Sequence, residues 1–313
     1  MFTITKKMAL FLSIIIFFFL FFQCATVPEE KGGKGESGKK TAFFDDKSDP
    51  DIGDTNAKGV FYDTFNSEEL DKGKWTTGYL KRWGHTEWGG LHPGLVKLTN
   101  GMAVLEVHGD MYEGDFTGYY GTKKRVGAVI ATKDRFASGR YEVKAMICPE
   151  PEGIFNAFWT FYYRKYRKGT KEYERGIEQG NVERGGYIIK NHEIDFEIFG
   201  PDFTSDLMTT WIGDTMNESV SVEADWGTDI RDRYHIFRFD WHTGSKKEKQ
   251  RVDFYLDGKL VYTLEEMIPT VAGQFWCGIW FPNWVGEPKF DTGYMYIDWV
   301  KITPFFEEGD ELE

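Results

Sequence analysis

The chain is poor in cysteine and in positive charge. It has 3 Cys in 313 residues, too few for a disulfide scaffold. Two of them, Cys148 and Cys277, lie far apart in apolar runs, which predicts buried free thiols. Lys and Arg number 38 against 50 Asp and Glu, for a net charge of -12. Because nucleic acid requires clustered cations, this balance excludes a nucleic-acid partner and favours a neutral one.

Long apolar runs are also scarce, and the single clear one lies at the N-terminus. Residues 8–22 carry no charge and directly follow Lys6 and Lys7. This run is too short for a comfortable transmembrane helix and has the form of a signal-peptide core. Cys24 follows it, and the arrangement resembles a bacterial lipoprotein signal in which Cys24 is lipidated. We therefore expect residues 1–24 to direct export, with a membrane anchor on Cys24 at the cell envelope of a bacterium. The alternative is a secreted protein whose signal is simply cleaved.

The rest of the chain divides by composition. Residues 25–58 are rich in Gly, Lys and Glu, which is typical of a flexible linker. Residues 59–306 show no second linker and no internal repeat, so they predict one domain. Aromatic residues make up 17% of the chain, which excludes a largely disordered protein. Residues 307–313 form an acidic tail that we expect to fray.

Short strands separated by turns dominate residues 59–306, and no stretch carries a long helical period. Alternating, branched or aromatic runs fill residues 102–109, 139–148, 156–163, 192–199, 234–241, 252–263 and 295–302. Asp257 and Gly258 stand between two apolar runs, which predicts a hairpin. These features predict an all-β fold of two packed antiparallel sheets. The charged segment 162–191 is long for a strand connection and predicts a loop beside a functional site.

Three acids alternate with apolar residues in the run HEIDFEIFG: Glu193, Asp195 and Glu197. On a strand, residues two apart share a face, so the three carboxylates point one way and their apolar neighbours point into a core. A solvated strand would look similar, but three acids in register repel one another and raise at least one pKa. Glycoside hydrolysis requires such a pair: one acid protonates the leaving oxygen and one carboxylate attacks the anomeric carbon. The spacing does not tell which glutamate attacks.

EIDFE resembles the active-site signature of glycoside hydrolase family 16, and the resemblance continues along the domain. The segments that resemble the family, in order, are 61–75, 137–162, 234–241, 252–259 and 295–302. It implies a jelly-roll β-sandwich of the concanavalin A-like kind, with a concave substrate cleft and a retaining, endo-acting enzyme. By position in the motif, Glu193 resembles the nucleophile, Glu197 the general acid/base and Asp195 the assisting carboxylate.

The signature has no extra residue before Glu197. In this it resembles lichenase-like and xyloglucan-active members, whereas laminarinase-, agarase- and carrageenase-like members carry a bulge. The unbulged signature favours a β-glucan with 1,4 linkages. The family resemblance as a whole implies a β-glucan with 1,3-1,4 or 1,3 linkages, cleaved by double displacement with no cofactor required for catalysis. The alternatives are a non-catalytic carbohydrate-binding sandwich, a transglycosylase and a galactan-active member. Non-catalytic relatives typically lose one of the two glutamates, and both are present here.

Several aromatic residues are expected to hold the substrate, because a flat ring matches the apolar face of a sugar. The family pattern places Trp159 and Phe161 on the cleft face of their strand and Trp280 at a donor subsite. Trp211, counted without gaps from the acidic motif, falls on the same face. Core packing is the alternative for each of these tryptophans.

Three further residues are assigned through the resemblance alone. Glu142 and Lys144 lie on a strand whose charged side chains the family places in the cleft, near the acids. Lys144 replaces the usual Arg and so lacks its bidentate fork. Asp298 matches the position at which some relatives bind a structural calcium ion, and oxygen ligands suit calcium.

Overall fold

The structure is a computed structural model. It describes residues 59–77, 89–115, 125–178, 181–200, 203–213, 216–282 and 284–312. The predicted signal peptide, Cys24 and the whole linker 25–58 lie outside these residues, so export and lipidation stay predictions. Within the described ranges, no helix combines the length and apolar character that a membrane span needs.

Strands dominate the described residues, which confirms the predicted all-β fold. The strands are Phe61–Asp63 (β1), Trp75–Thr76 (β2), Gly90–Leu91 (β3), Val96–Thr99 (β4), Met102–His108 (β5), Val126–Phe136 (β6), Gly139–Met146 (β7), Phe155–Arg167 (β8), Glu183–Arg184 (β9), Tyr187–Ile198 (β10), Ser205–Trp211 (β11), Ser219–Asp225 (β12), His235–His242 (β13), Arg251–Leu256 (β14), Lys259–Leu264 (β15), Gly273–Trp280 (β16) and Thr292–Pro304 (β17). One α-helix, Lys171–Glu178 (α1), and short 3-10 turns at Pro93–Leu95 and Met216–Glu218 complete the described part.

The strands form two antiparallel layers. The front sheet runs in the order β12-β11-β10-β8-β16-β6-β2. The back sheet runs β15-β14-β13-β7-β17-β5-β4, with β1 also beside β17. β6 joins the layers, since its first residues also pair with β3, in parallel, and with β5. The result is the predicted two-sheet sandwich.

The space between the layers is filled by branched and aromatic side chains. On β10, Ile194, Phe196 and Ile198 are buried, as the alternation predicted. The ring of Phe196 lies 5.7 Å from that of Phe237 on β13 and 5.6 Å from that of Phe254 on β14. A one-residue slip of β10 would turn this apolar set outward, at a cost of about 1.5–3 kcal/mol for each large side chain exposed. Core packing therefore fixes which face carries the acids.

Two local predictions are confirmed. Asp257 and Gly258 connect β14 to β15 with φ values of 50° and 79°, the left-handed conformations that a type I′ hairpin turn requires. Cys148 and Cys277 are free and buried.

The segment 162–191 differs from the predicted loop. β16 pairs with β8 only as far as Phe161, and β11 pairs with β10 only from Glu193 onward. Beyond those points β8 and β10 continue to pair with each other up to the register of Arg167 with Tyr187. We call residues 162–167 and 187–192 the ribbon. Eight of its twelve residues are partly or fully exposed, so the sequence lacks the apolar alternation by which a strand is predicted.

The acidic tail is tied to the sheets, so the expectation that it frays is wrong for residues 307–312. Glu307 accepts hydrogen bonds from the Gly244 N–H at 2.8 Å and from the His242 ring at 2.6 Å. Asp310 accepts from the backbone N–H and the hydroxyl of Ser138. These donors come from distant positions in the chain, which the composition of the tail does not reveal.

Candidate active site

β10 brings the three predicted acids together. Glu193, Asp195 and Glu197 lie on the outer face of the front sheet, which we call the acid face. β10 pairs with β8 and with β11 in unbroken register across all three residues, so the predicted unbulged strand is confirmed. Successive acids are therefore spaced along the strand by about 6.6 Å.

The neighbouring strands place aromatic residues beside the acids. On β8, Phe161 lies opposite Glu193 and Trp159 lies opposite Asp195. On β11, Trp211 lies opposite Glu193. The structure thus places all three aromatic residues on the predicted face, and their contact with a sugar stays a prediction.

Tryptophan side chains donate hydrogen bonds to two of the acids. The Trp211 Nε1–H donates to Asp195 Oδ2 at 3.0 Å. The Trp280 indole donates to the Glu197 carboxyl group, which places this predicted residue directly at the site. Both tryptophans are partly exposed, so each can hold an acid through its N–H while its ring remains available to a ligand.

Burial raises the pKa of all three carboxyl groups. The pKa of Glu193 is raised to about 7. The pKa of Glu197 is raised to about 8, with the charge of Glu193 adding to the effect of burial. Burial and both neighbouring charges raise the pKa of Asp195 well above its usual range. All three groups therefore resist ionisation near neutral pH, and because the charge of one disfavours ionisation of the next, a carboxylate and a carboxylic acid can stand side by side.

An apolar cluster lies beside the acids on the same face of the front sheet. Its members are Leu91, Val129, Ala131, Ala157, Trp159 and Trp276, with Phe161 and Trp280 packed against it. Trp159 stacks on Trp276 at a ring-centroid distance of 5.4 Å, and the two are only 3% and 0% exposed. An apolar surface disfavours the charged form of a nearby acid. Trp159 therefore acts on the site through the environment of the acids as well as through any contact with a sugar.

A second aromatic group, beyond Glu197, was missed in the sequence. The Phe155 ring lies 4.8 Å from Phe199, 5.4 Å from Trp280 and 5.1 Å from Trp284. Trp284 is 36% exposed, which is high for so large an apolar residue. The run GIWFPNW contains Trp284, but irregular backbone separates it from β16, so strand alternation could not place it.

Asn191 was also missed, although alternation could have found it. It lies two residues before Glu193 and so shares the acid face. Its Nδ2–H donates to Glu193 Oε2 at 2.9 Å. His192, in contrast, is buried on the opposite face, and its Nδ1 accepts from the Thr270 N–H, so its role is structural.

Glu142 and Lys144 do not lie beside the acids, and that prediction is wrong. Their strand, β7, belongs to the back sheet between β13 and β17. Tyr141 and Val143 point into the core, so Glu142 and Lys144 lie on the outer face of the back sheet. The Lys144 Nζ contacts Asp298 Oδ2 at 2.6 Å. The alternation of β7 was right, but alternation cannot tell which sheet a strand joins.

Asp298 is therefore engaged by the Lys144 ammonium group, with which a calcium ion would have to compete. Calcium at Asp298 stays a prediction, with backbone carbonyls as the other ligands that calcium requires. Within the described part of the chain, His242, Glu248 and Glu307 also place ligand atoms within 4.8 Å of one another. The close contact between His242 and Glu307 already explains that group as an anchor of the tail.

A two-layer antiparallel sandwich that carries a row of carboxylates and tryptophans on one sheet defines the class of jelly-roll carbohydrate-active proteins. The sequence model of the glycosyl hydrolases family 16 matches residues 104–301. The chain belongs to this family.

Two curated relatives are β-glucanases. The β-glucanase of Acetivibrio thermocellus is 25% identical over 230 residues, which cover 72% of this chain and 56% of the relative. The β-glucanase of Bacillus subtilis is 31% identical over 116 residues, which cover 36% of this chain and 45% of the relative. The chain spans about half the length of the curated relatives it matches.

Solved structures confirm the jelly-roll fold. A prokaryotic β-1,3-1,4-glucanase, or lichenase, from a mouse hindgut metagenome superposes with a TM-score of 0.57 at 22% identity. The match covers 79% of this chain and 100% of the lichenase. The catalytic domain of an endo-1,3-β-glucanase from Thermotoga petrophila RKU-1 superposes with a TM-score of 0.55 at 20% identity. The match covers 77% of this chain and 95% of that domain.

Proposed function

We propose that this chain is an endo-acting glycoside hydrolase that cleaves a β-glucan with retention of anomeric configuration. The observation that carries the proposal is the row of three carboxyl groups on one face of β10, where Trp211 donates to Asp195 and Trp280 donates to Glu197. Family membership and the β-glucanase relatives support the same class of reaction.

The proposed reaction uses Glu193 as a carboxylate and Glu197 as a carboxylic acid. The Glu193 carboxylate attacks the anomeric carbon while the Glu197 acid donates its proton to the glycosidic oxygen, and the leaving chain departs. A glycosyl ester on Glu193 results. Glu197, now a carboxylate, takes a proton from water, and the resulting hydroxide attacks the same carbon. Glu193 is released as a carboxylate, and the proton taken from water leaves Glu197 in its starting acid form. One water molecule is consumed per bond cleaved.

Asp195 assists as a neutral acid. Its carboxyl shares a hydrogen bond with Glu193, and the Trp211 indole donates to its Oδ2. A donor to the ionised form of Glu193 stabilises that form. The same donor makes Glu193 a better leaving group when the glycosyl ester is hydrolysed.

The substrate proposed is a β-glucan, with mixed 1,3-1,4 glucan first because it contains 1,4 linkages, and 1,3-glucan second. The unbulged register of β10 supports this choice, because the resemblance associates that form of the strand with lichenase-like members. A transglycosylase would use the same carboxylates but pass the sugar to a second sugar. Product lengths in the presence of acceptor oligosaccharides distinguish it from a hydrolase.

The test of the function is reducing-sugar release from lichenan, laminarin, xyloglucan, agarose and carrageenan by the full chain. Glu193→Gln, which keeps the shape of the side chain, is assayed beside it. Release from lichenan that is lost in the variant supports the proposal. Release from agarose or carrageenan alone would move the chain to the galactan-active alternative. No release from any polymer, combined with retention on a polysaccharide affinity gel, would support the binding module instead.

The optimum of kcat/KM is expected near neutral or mildly alkaline pH. Glu193 must be ionised, so kcat/KM falls as the pH drops through its pKa of about 7. Glu197 must be protonated, so kcat/KM also falls as the pH rises through its pKa of about 8. Initial rates at low substrate concentration, from about pH 4 to about pH 10, give both limbs. Two limbs near the ordinary glutamate pKa of about 4.3 would contradict the desolvated site.

We also propose that the enzyme acts outside the cytoplasm, held to the membrane by a lipid on Cys24. The order of charges, apolar run and cysteine in residues 6–24 supports this. Palmitate is expected to label the full chain in a bacterial host and not to label Cys24→Ala. Equal labelling of both chains, or of neither, would contradict the anchor.

A further inference from the structure

Asn191 occupies a distinctive place on the acid face. It lies on β10 where the ribbon begins, two residues before Glu193 and opposite Tyr163 of β8. β11 no longer pairs with β10 at this point. The Asn191 side chain is nevertheless 6% exposed, so its polar atoms are removed from water.

Only one of its two polar atoms has a partner. The Nδ2–H donates to Glu193 Oε2 at 2.9 Å. An ionised carboxylate only accepts hydrogen bonds, so this contact orients the amide with Nδ2 toward Glu193. The Oδ1 atom then points away, and it is buried with no hydrogen-bond partner in the described part of the chain.

The unpartnered oxygen argues against a purely structural role. Burying an acceptor without a donor carries a desolvation penalty, whereas an apolar residue of the same shape would not. Asn156, in contrast, uses both amide atoms on the backbone of Cys148, which is how a structural Asn is satisfied. The one hydrogen bond that the Asn191 side chain does make is from its Nδ2–H to Glu193.

We propose that Asn191 is a positioning residue whose amide N–H holds the Glu193 carboxylate in place for attack on the anomeric carbon. This proposal rests on the proposed role of Glu193 as the nucleophile. The contact has an electrostatic consequence as well. Burial raises the pKa of Glu193, and the N–H of Asn191, by favouring the ionised form, lowers it.

The groups around Glu193 allow this contribution to be isolated. On β10 the titratable neighbours are Asp195 and Glu197, and both are unchanged by a substitution at position 191. β8 presents the Tyr163 phenol on the same face, and β11 presents Trp211, which does not titrate. Removing the amide therefore removes one donor to Glu193 and leaves these other charges as they are.

Two substitutions test the proposal. Asn191→Leu has a similar size but no polar atom, and Asn191→Asp keeps the shape but replaces the N–H with a second acid. Lys190→Gln is the control, because Lys190 points to the opposite face and contacts Glu311. Melting curves of all the full-length variants establish that each one folds.

The acid limb of kcat/KM is expected to move to higher pH in the order wild type, Asn191→Leu, Asn191→Asp. The reason is that Leu only removes a donor, whereas Asp also adds a repelling charge. At neutral pH, kcat is expected to fall about 10- to 100-fold, as for loss of one hydrogen bond to a charged group. KM is expected to change by less than about threefold, because uniform substrate binding is not lost. Lys190→Gln keeps the wild-type profile.

A second readout does not use activity. In ¹³C NMR titrations of the glutamate carboxyl groups, the Glu193 signal is assigned by its absence in Glu193→Gln, and it is expected to titrate at higher pH in both Asn191 variants. An unmoved acid limb and an unmoved Glu193 titration in folded, active variants would overturn the proposal while leaving the glucanase function intact. A wild-type chain that hydrolyses no polymer would overturn both proposals.

Discussion

Glu193→Ala is expected to lose hydrolysis almost completely and to regain turnover, with inverted stereochemistry, when azide is added. Without the carboxylate there is no group to form the glycosyl ester, and loss of a nucleophile lowers the rate by about 10⁴-fold or more. The alanine also opens a space beside the anomeric carbon. A small anion can enter this space and attack from the face that Glu193 uses. That single displacement gives an α-glycosyl azide from a β-linked substrate.

The product also settles which glutamate attacks, a question that spacing alone left open. The assay uses an aryl β-glycoside of a glucan oligosaccharide, and NMR identifies the anomer. If Glu193 were instead the acid/base, azide would attack a glycosyl ester on Glu197, and two inversions would give the β-azide. A β-azide from Glu193→Ala would therefore reverse the assignment. Retention of more than about a tenth of wild-type activity would remove Glu193 from the mechanism.

The isosteric variant Glu193→Gln carries a matching expectation for stability. The pKa of Glu193 in the folded protein, about 7, lies above that of an unfolded chain, so the folded form binds more protons between the two values. Stability should therefore fall as pH rises through this window. Glutamine does not ionise, so the Glu193→Gln variant does not lose stability in this pH window. Melting temperatures are expected to be similar near pH 5, and the variant is expected to melt above wild type near pH 8.

The site was predictable where it depends on local geometry. Alternation on one strand fixes that Glu193, Asp195 and Glu197 share a face, because the direction of each side chain follows from its neighbours along the chain. On β8 the same rule puts Trp159 and Phe161 on one face, and the family resemblance predicted that this face lies in the cleft. Alternation also puts Asn191 on the face of the acids. The residue type alone does not indicate a role there, and only the structure shows its hydrogen bond to Glu193.

The errors concern partners that lie far apart in sequence. Glu142 and Lys144 alternate as predicted, but the pairing of β7 with β13 and β17 decides which sheet they join. The tail residue Glu307 is held by donors more than sixty positions away. Most residues of the ribbon are partly or fully exposed, so strand pairing forms it without the apolar pattern by which strands are recognised. In each case the deciding contact is long-range.

Glu197→Ala is expected to separate the two steps of the reaction. A polysaccharide has a poor leaving group that needs the Glu197 proton, so its hydrolysis should fall by about 10²- to 10⁴-fold. An aryl glycoside with an acidic phenol needs no such proton, so the first step should remain fast. The second step still lacks a base. The glycosyl ester on Glu193 should therefore accumulate after a burst of one phenol per enzyme, visible by mass spectrometry.

Azide and pH then identify Glu197 independently of Glu193. Azide requires no base, so it should release the ester and give the β-glycosyl azide, the opposite anomer from that of Glu193→Ala. The alkaline limb of kcat/KM for the polysaccharide should disappear from the residual activity of Glu197→Ala, because the group whose pKa of about 8 produces it is gone. The Trp280 indole, which donates to Glu197, provides the comparison. Trp280→Phe keeps the carboxyl and should retain the limb at a higher pH, since a donor to the ionised form is lost. An alkaline limb unchanged in Glu197→Ala would assign that ionisation to another residue.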